Sequence, residues 1–206
     1  MDYVRPVQAL IPGIRGRILA VLANTDAELT MSTVAQLASA SVNRTVAVLN
    51  ELVTLGLIER RDVGSSALVR LSKENEAARC IVQFARLRNS VLERMKRSAR
   101  MIKPPPSRVI VFGSMAKGGA SSTSDIDVLI VRSHDVNEDD HEWYASLGQW
   151  SDEVQTITGN PINLLVIAEQ NLPELLRRPN TVWRDILSDG IALLGTVPHL
   201  NERADT

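Results

Sequence analysis

Between Val109 and Val131 the chain sets two short apolar runs around a glycine–serine pair and two aspartates, and few folds accommodate that order. The first run, Val109 to Phe112, stops at Gly113-Ser114; after ten further residues Asp125 and Asp127 open the second run, Val128 to Val131. Side chains of a strand alternate between faces, so residues two apart share a face and the spacing aims both carboxylates at one point. Two carboxylates held together without a cation repel each other, and a hard divalent ion is their natural companion. Gly-Ser at a strand end, followed by small residues, offers backbone N–H groups of the kind that cradle phosphate.

Gly113-Ser114, ten residues, then Asp125-Ile126-Asp127 resembles the signature of the minimal nucleotidyltransferases of the polymerase-β-like superfamily. That superfamily includes the antitoxin halves of HEPN/minimal-nucleotidyltransferase pairs. The likeness covers Ser107 to about Gly195. It implies a small α/β core, with Mg2+ on Asp125 and Asp127 and a nucleoside triphosphate, ATP first, on Gly113, Ser114, Lys117 and Ser124. Lys117 stands where the pattern often carries Arg, and a Lys serves phosphate as a point charge, less directionally. The implied reaction transfers a nucleoside monophosphate, AMP from ATP, to a hydroxyl of a protein or small molecule. The family usually places a third carboxylate on a later strand, in a segment like Val-Asp-Leu-Val. Here that segment is Ile162-Asn163-Leu164-Leu165, and a neutral Asn cannot act as a general base or balance a second cation. A domain that binds nucleotide and transfers slowly or not at all is therefore a second expectation.

Charge divides the chain. Residues 1–103 carry 16 Lys and Arg against 9 Asp and Glu, whereas residues 104–206 carry 7 against 15. A basic half joined to an acidic half points to a polyanion as partner of the first. Pro104-Pro105-Pro106 marks the changeover and reads as a stiff spacer. The expected organisation is α+β: a DNA-binding domain over residues 1–72, a connecting helix over 73–103 and a transferase-like domain with a small mixed sheet over 104–206. The single Cys80 excludes an internal disulfide and fits a reducing compartment. No apolar stretch reaches the length of a membrane span and Met1-Asp2-Tyr3 lacks a basic signal start, so a cytoplasmic location is expected.

In the basic half, apolar spacing predicts helices over Ile11–Leu22, after a cap at Thr30 or Ser32, and from Val42 to Val53 with Gly56 as its stop. Leu57–Arg61 and Ala67–Leu71 flank Asp62-Val-Gly-Ser-Ser66 as a hairpin. Helix, helix, turn, helix, hairpin is the order of a winged helix-turn-helix. Thr33-Val-Ala-Gln-Leu-Ala38, Thr45-Val-Ala-Val-Leu49 and Leu55-Gly-Leu-Ile-Glu-Arg60 resemble the corresponding pieces of ArsR- and MarR-type regulators. With Val42, Val46, Leu49 and Val53 assigned to the core, Ser41, Asn43, Arg44 and Thr45 remain to meet double-stranded DNA. Arg61 and the wing tip at Gly64-Ser65 would reach its flank. Arg and Asn are suited to base edges, Ser and Thr to phosphate.

Lys73 to about Met101 reads as one long basic helix with an apolar stripe through Ala77, Cys80, Ile81, Phe84, Leu87, Val91 and Met95, a surface that would suit a homodimer. Cys80 on that stripe is expected in the core. Further on, the pattern predicts a helix through Trp143, Leu147, Trp150 and Val154, a strand at Ile162–Ile167, helices at Glu169–Arg177 and Thr181–Leu187, and an apolar segment at Ile191–Leu194. His134, His141 and His199 show no metal-ligand spacing. Three functions remain open: a Mg2+-dependent transferase, a nucleotide-sensing transcriptional regulator, and an antitoxin whose partner is a toxin.

Overall fold

Hydrophobic periodicity sorts the chain into two separate cores. In a computed structural model, which describes residues 1–64, 66–177 and 180–199, one unit spans Arg5–Leu87, and the other joins Met1–Val4 to the chain from Arg88 onward. The division falls inside the segment expected to be one helix. That segment is two helices, Glu76–Ala85 and Leu87–Ala99, interrupted at Arg86, whose ψ of 14° leaves the helical range. The apolar stripe therefore does not run through: Cys80, placed on it by the sequence pattern, is exposed, while Met95 is fully buried.

The first unit contains α1 (Pro6–Leu10), α2 (Gly13–Ala23), β1 (Leu29–Thr30), α3 (Met31–Leu37), α4 (Val42–Thr54), β2 (Ile58–Val63), β3 (Ser66–Leu71) and α5 (Glu76–Ala85). Its core gathers Ile18, Leu19 and Leu22 of α2, Val34 of α3, Leu49 and Leu52 of α4, and Val69 of β3. Gly16 is what lets α2 fold back after α1, since a Cβ there would lie 1.6 Å from the Ile11 carbonyl oxygen. Thr30 caps α3 by accepting from the Thr33 N–H at 3.1 Å. At the end of α4, Gly56 takes a φ of +70°. The Leu57 N–H then reaches the Leu52 carbonyl at 3.0 Å and that of Gly56 reaches Val53 at 2.9 Å, which is a Schellman stop. β2 and β3 pair antiparallel from Ile58↔Leu71 to Val63↔Ser66, and β1 adds to the free edge of β3, giving the order β1-β3-β2. Gly64 stands in the expected wing tip, whereas Ser65 lies outside the described residues.

The second unit contains α6 (Leu87–Ala99), which begins at the division, then β4 (Arg108–Phe112), α7 (Gly113–Ala116), β5 (Ile126–Arg132), α8 (His141–Thr158), β6 (Ile162–Ala168), a 3-10 turn at Glu169–Asn171, α9 (Leu172–Leu176), α10 (Thr181–Asp189) and β7 (Ile191–Leu194). Its sheet is small and mixed, in the order β6-β5-β4-β7; β5 runs parallel to β6, and β4 antiparallel to both its neighbours. β4 and β5 are central strands buried on both faces, which is why each reads as an unbroken apolar run. Ile110, Phe112, Leu129 and Val131 pack against Leu172, Leu176, Trp183 and Ile186. The alternate residues Val109, Val111, Val128 and Ile130 are also fully buried. Trp143, Leu147, Trp150 and Val154 form the buried face of α8, as the spacing predicts. The indole N–H of Trp150 donates to the Ser98 hydroxyl at 3.0 Å, and that of Trp143 to the Pro104 carbonyl at 3.1 Å. Of the three prolines, Pro104 thus accepts a hydrogen bond from α8 and Pro106 is buried, while Pro104 and Pro105 stay exposed. Among the described residues, no helix is long and apolar enough to cross a membrane.

Candidate functional site

β4 and β5 bring the glycine bend and Asp127 together. Phe112 and Asp127 are direct partners in the antiparallel ladder, so the chain leaves β4 at Gly113 beside the carboxylate of Asp127. The approach is close enough that only glycine fits: its φ is +66°, and a Cβ there would lie 2.4 Å from Asp127 Oδ2. Ser114 is the next residue and lies in the single turn of α7. Asp125 immediately precedes β5. Ile126, between the two acids, is fully buried, so the alternation turns Asp125 and Asp127 toward the other side, where Asp125 is exposed and Asp127 partly so.

Asn163 completes this corner. It is the register partner of Asp127 across the parallel β5–β6 pair, and its side-chain N–H donates to Asp127 Oδ1 at 3.1 Å. One oxygen of Asp127 is thus approached by an amide and the other by the backbone of Gly113. Among the described residues no group of three or more acidic, His or Cys side chains could hold a metal. The anionic donors here are two carboxylates, and Asn163 turns its amide N–H to Asp127, so the chemistry suits at most a single hard divalent ion and not a pair of them.

Two further residues expected near phosphate are occupied within the protein. Lys117, one turn beyond the bend, pairs with Asp185 of α10 at 2.8 Å. Ser124 knits its own loop: its hydroxyl accepts from the Ser121 N–H at 3.0 Å and lies 3.0 Å from the Ser121 hydroxyl. That loop is fastened from below by Asn160, a fully buried residue whose side-chain N–H groups donate to the carbonyls of Ser124 at 2.8 Å and Ser121 at 3.1 Å. Arg88 fastens the other end by donating to the carbonyls of Met115 at 2.8 Å and Ala116 at 2.5 Å. Sequence reasoning passed over both. Asn160 had one signal, its place before Pro161 in a turn; Arg88 had none, because it is one of many cations on a basic stretch.

In the first unit, α4 is rotated from its expected phase. Its buried stripe is Thr45, Leu49 and Leu52, whereas Val42, assigned to the core, is 50% exposed. Thr45 is therefore a correction: it is fully buried, its hydroxyl has no hydrogen-bond partner among the described residues, and it cannot reach a ligand outside. Ser41, the N-cap of α4, and Asn43 and Arg44 in its first turn are all exposed. Arg61 is exposed as well, but its guanidinium is joined to Glu28 through two hydrogen bonds. The bond to Arg61 holds the Glu28 carboxyl below its ordinary range and lifts Arg61 above its own.

Residues 89–183, a span within the second unit, match the nucleotidyltransferase domain family. No curated protein matches the chain. Among solved structures, a mutant of the toxin–antitoxin MntA–HpeT is 17% identical, over 51% of this chain and 73% of that one, with a TM-score of 0.35. A toxin–antitoxin with AMP-PNP is 20% identical, over 50% and 73%, at 0.34. TrmBL2, an archaeal chromatin protein, is 16% identical over 87% of this chain and 73% of that one, at 0.32. None of the three superposes well enough to define a common fold.

Proposed function

We propose that the chain is a DNA-binding protein whose nucleotidyltransferase domain binds a nucleoside triphosphate with one Mg2+ and transfers its monophosphate, AMP from ATP, to a hydroxyl of a protein or small molecule. The observation that carries the reading is the meeting of Gly113 with Asp127, beside Asp125 on the same face. Asp125 and Asp127 would hold the ion, with the Asn163 amide at its edge, and a bound Mg2+ would offset negative charge on the phosphates. Gly113 and Ser114 would present the bend to the phosphates, and Lys117 would turn to them from Asp185. In the transfer an acceptor oxygen bonds to the α-phosphorus as the bond to pyrophosphate breaks, and the hydroxyl proton must leave. Asn163 cannot take that proton.

That last point favours a second reading, in which the domain chiefly senses nucleotide and the first unit is a winged helix-turn-helix that answers to it. The helix order, the hairpin and the exposed Ser41, Asn43 and Arg44 at the start of α4 support this assignment. The test is a titration of the full chain with a non-hydrolysable ATP analogue and Mg2+, followed by incubation with labelled ATP. Changing Asp125 and Asp127 together to Asn should weaken Mg2+-dependent binding by about a hundredfold, since two charge-assisted contacts are lost. Unchanged binding in that variant would remove the site from Asp125 and Asp127. Binding without label transfer would leave the sensor and remove the enzyme.

A further inference from the structure

A cavity of about 390 Å³ opens within the first unit between the end of α2, the end of β3 and the outer turns of α5. Its floor is apolar, formed by the buried Leu22 and Leu71 with Val82 beside them. Its rim is cationic: Arg70, Lys73, Arg79 and Arg86 face one acid, Asp26. Two of the four cations are already neutralised inside the unit, Arg70 by Glu59 at 2.7 Å and Arg79 by Glu76 at 2.9 Å. The side chains of Lys73 and Arg86 have no pairing partner among the described residues. The cavity shares no residue with α4, so it can be filled while Ser41, Asn43 and Arg44 stay free.

We infer that this cavity is a binding site for a small organic anion, a carboxylate or phosphate carried on an apolar body. The volume lies within the range of small-molecule pockets, about 300–1,000 Å³, and pockets of that class pair an apolar lining with a few polar groups that fix orientation. The anionic head meets Lys73 and Arg86, which gain the charge-assisted hydrogen bonds they lack in the protein. The body lies on Leu22, Leu71 and Val82, where it removes apolar surface from water. Both contacts contribute: an inorganic anion would leave the floor wet, and a neutral ligand would forgo the contacts with Lys73 and Arg86.

Calorimetric titration of the full chain with naphthoate, octanoate, neutral naphthylmethanol and inorganic phosphate tests this site. Naphthoate or octanoate should bind saturably at one site per chain. Naphthylmethanol and inorganic phosphate should each bind at least about tenfold more weakly, the loss expected when one charge-assisted contact or the apolar contact is absent. The double variant Lys73→Gln/Arg86→Gln, at two exposed positions, should keep its circular dichroism spectrum and lose naphthoate affinity by a similar factor. The inference is overturned if neither organic anion saturates, if inorganic phosphate binds as well as they do, or if the double variant binds naphthoate like the parent. These outcomes do not depend on Asp125 and Asp127, so they stand apart from the fate of the nucleotide site.

Discussion

Asp127 is held between two different neighbours. Gly113 leaves room for one oxygen, because any side chain at that bend would collide with it at 2.4 Å. Asn163 donates to the other oxygen at 3.1 Å and adds no charge. Replacing Asn163 by Asp sets a third carboxylate against Asp127, and without a cation the two like charges raise each other's pKa and strain the corner. With Mg2+ present the same charge is an added ligand. Asn163→Asp should therefore lower the melting temperature in chelator and raise Mg2+ affinity by about tenfold, as one more anionic oxygen ligand would. A variant with the parent's Mg2+ affinity would place the ion away from Asn163. Thr45 presents the opposite case, a polar group with nothing to bind. Its buried hydroxyl forfeits hydration without gaining a partner, a cost of about 1–3 kcal/mol. Thr45→Val keeps the shape and removes the hydroxyl, so it should stabilise the protein by about 1 kcal/mol. Urea denaturation would read that gain. DNA affinity should stay unchanged, and a loss of it would return Thr45 to the contact surface.

At the scale of elements, α4 shows where reading a sequence succeeds and where it stops. Its existence and its end were legible, because the apolar spacing and Gly56 each carry a direct physical meaning. Its rotation was not. Val42 and Val46 look like core residues and Thr45 does not, yet packing against α2 and α3 chose Thr45, Leu49 and Leu52. Segments such as Val109–Phe112, Val128–Val131, the Trp143–Val154 face and Ile191–Leu194 were legible for the same reason: burial on both faces or on one leaves a plain pattern. The interruption at Arg86 left no glycine or proline to announce it. The loop fastenings by Asn160 and Arg88 were illegible because they join residues 27 to 39 positions apart. The rotation sharpens the expectation for DNA. Arg44 stays exposed in the first turn of α4, and Arg44→Ala should weaken binding to the preferred site by about 1–3 kcal/mol if it reads a base. A filter-binding or fluorescence anisotropy titration at fixed salt measures it. Equal losses on specific and random duplex would make Arg44 a phosphate contact instead.

On the scale of the whole chain, a basic half and an acidic half are kept in one polypeptide, and under the proposed function each half would carry a site of the sign its partner requires. Residues 1–103 have an excess of cations for a polyanion; residues 104–206 have an excess of acids, two of them set where a divalent ion would bridge to a phosphate. If the protein senses nucleotide, the two sites must share free energy, and that coupling is reciprocal: whatever factor Mg2+-nucleotide applies to DNA affinity, DNA must apply to nucleotide affinity. Couplings of this kind run to about 5–150-fold. We expect a non-hydrolysable ATP analogue with Mg2+ to change the affinity of the full chain for its preferred duplex by a factor in that range. The duplex should then change analogue affinity by the same factor, and Asp125→Asn with Asp127→Asn should abolish both effects together. The two titrations are independent measurements of one number. A nucleotide effect on DNA without the matching DNA effect on nucleotide would expose a second binding event. The absence of both would leave two unconnected sites and end the sensing reading, while leaving transfer to a hydroxyl untouched.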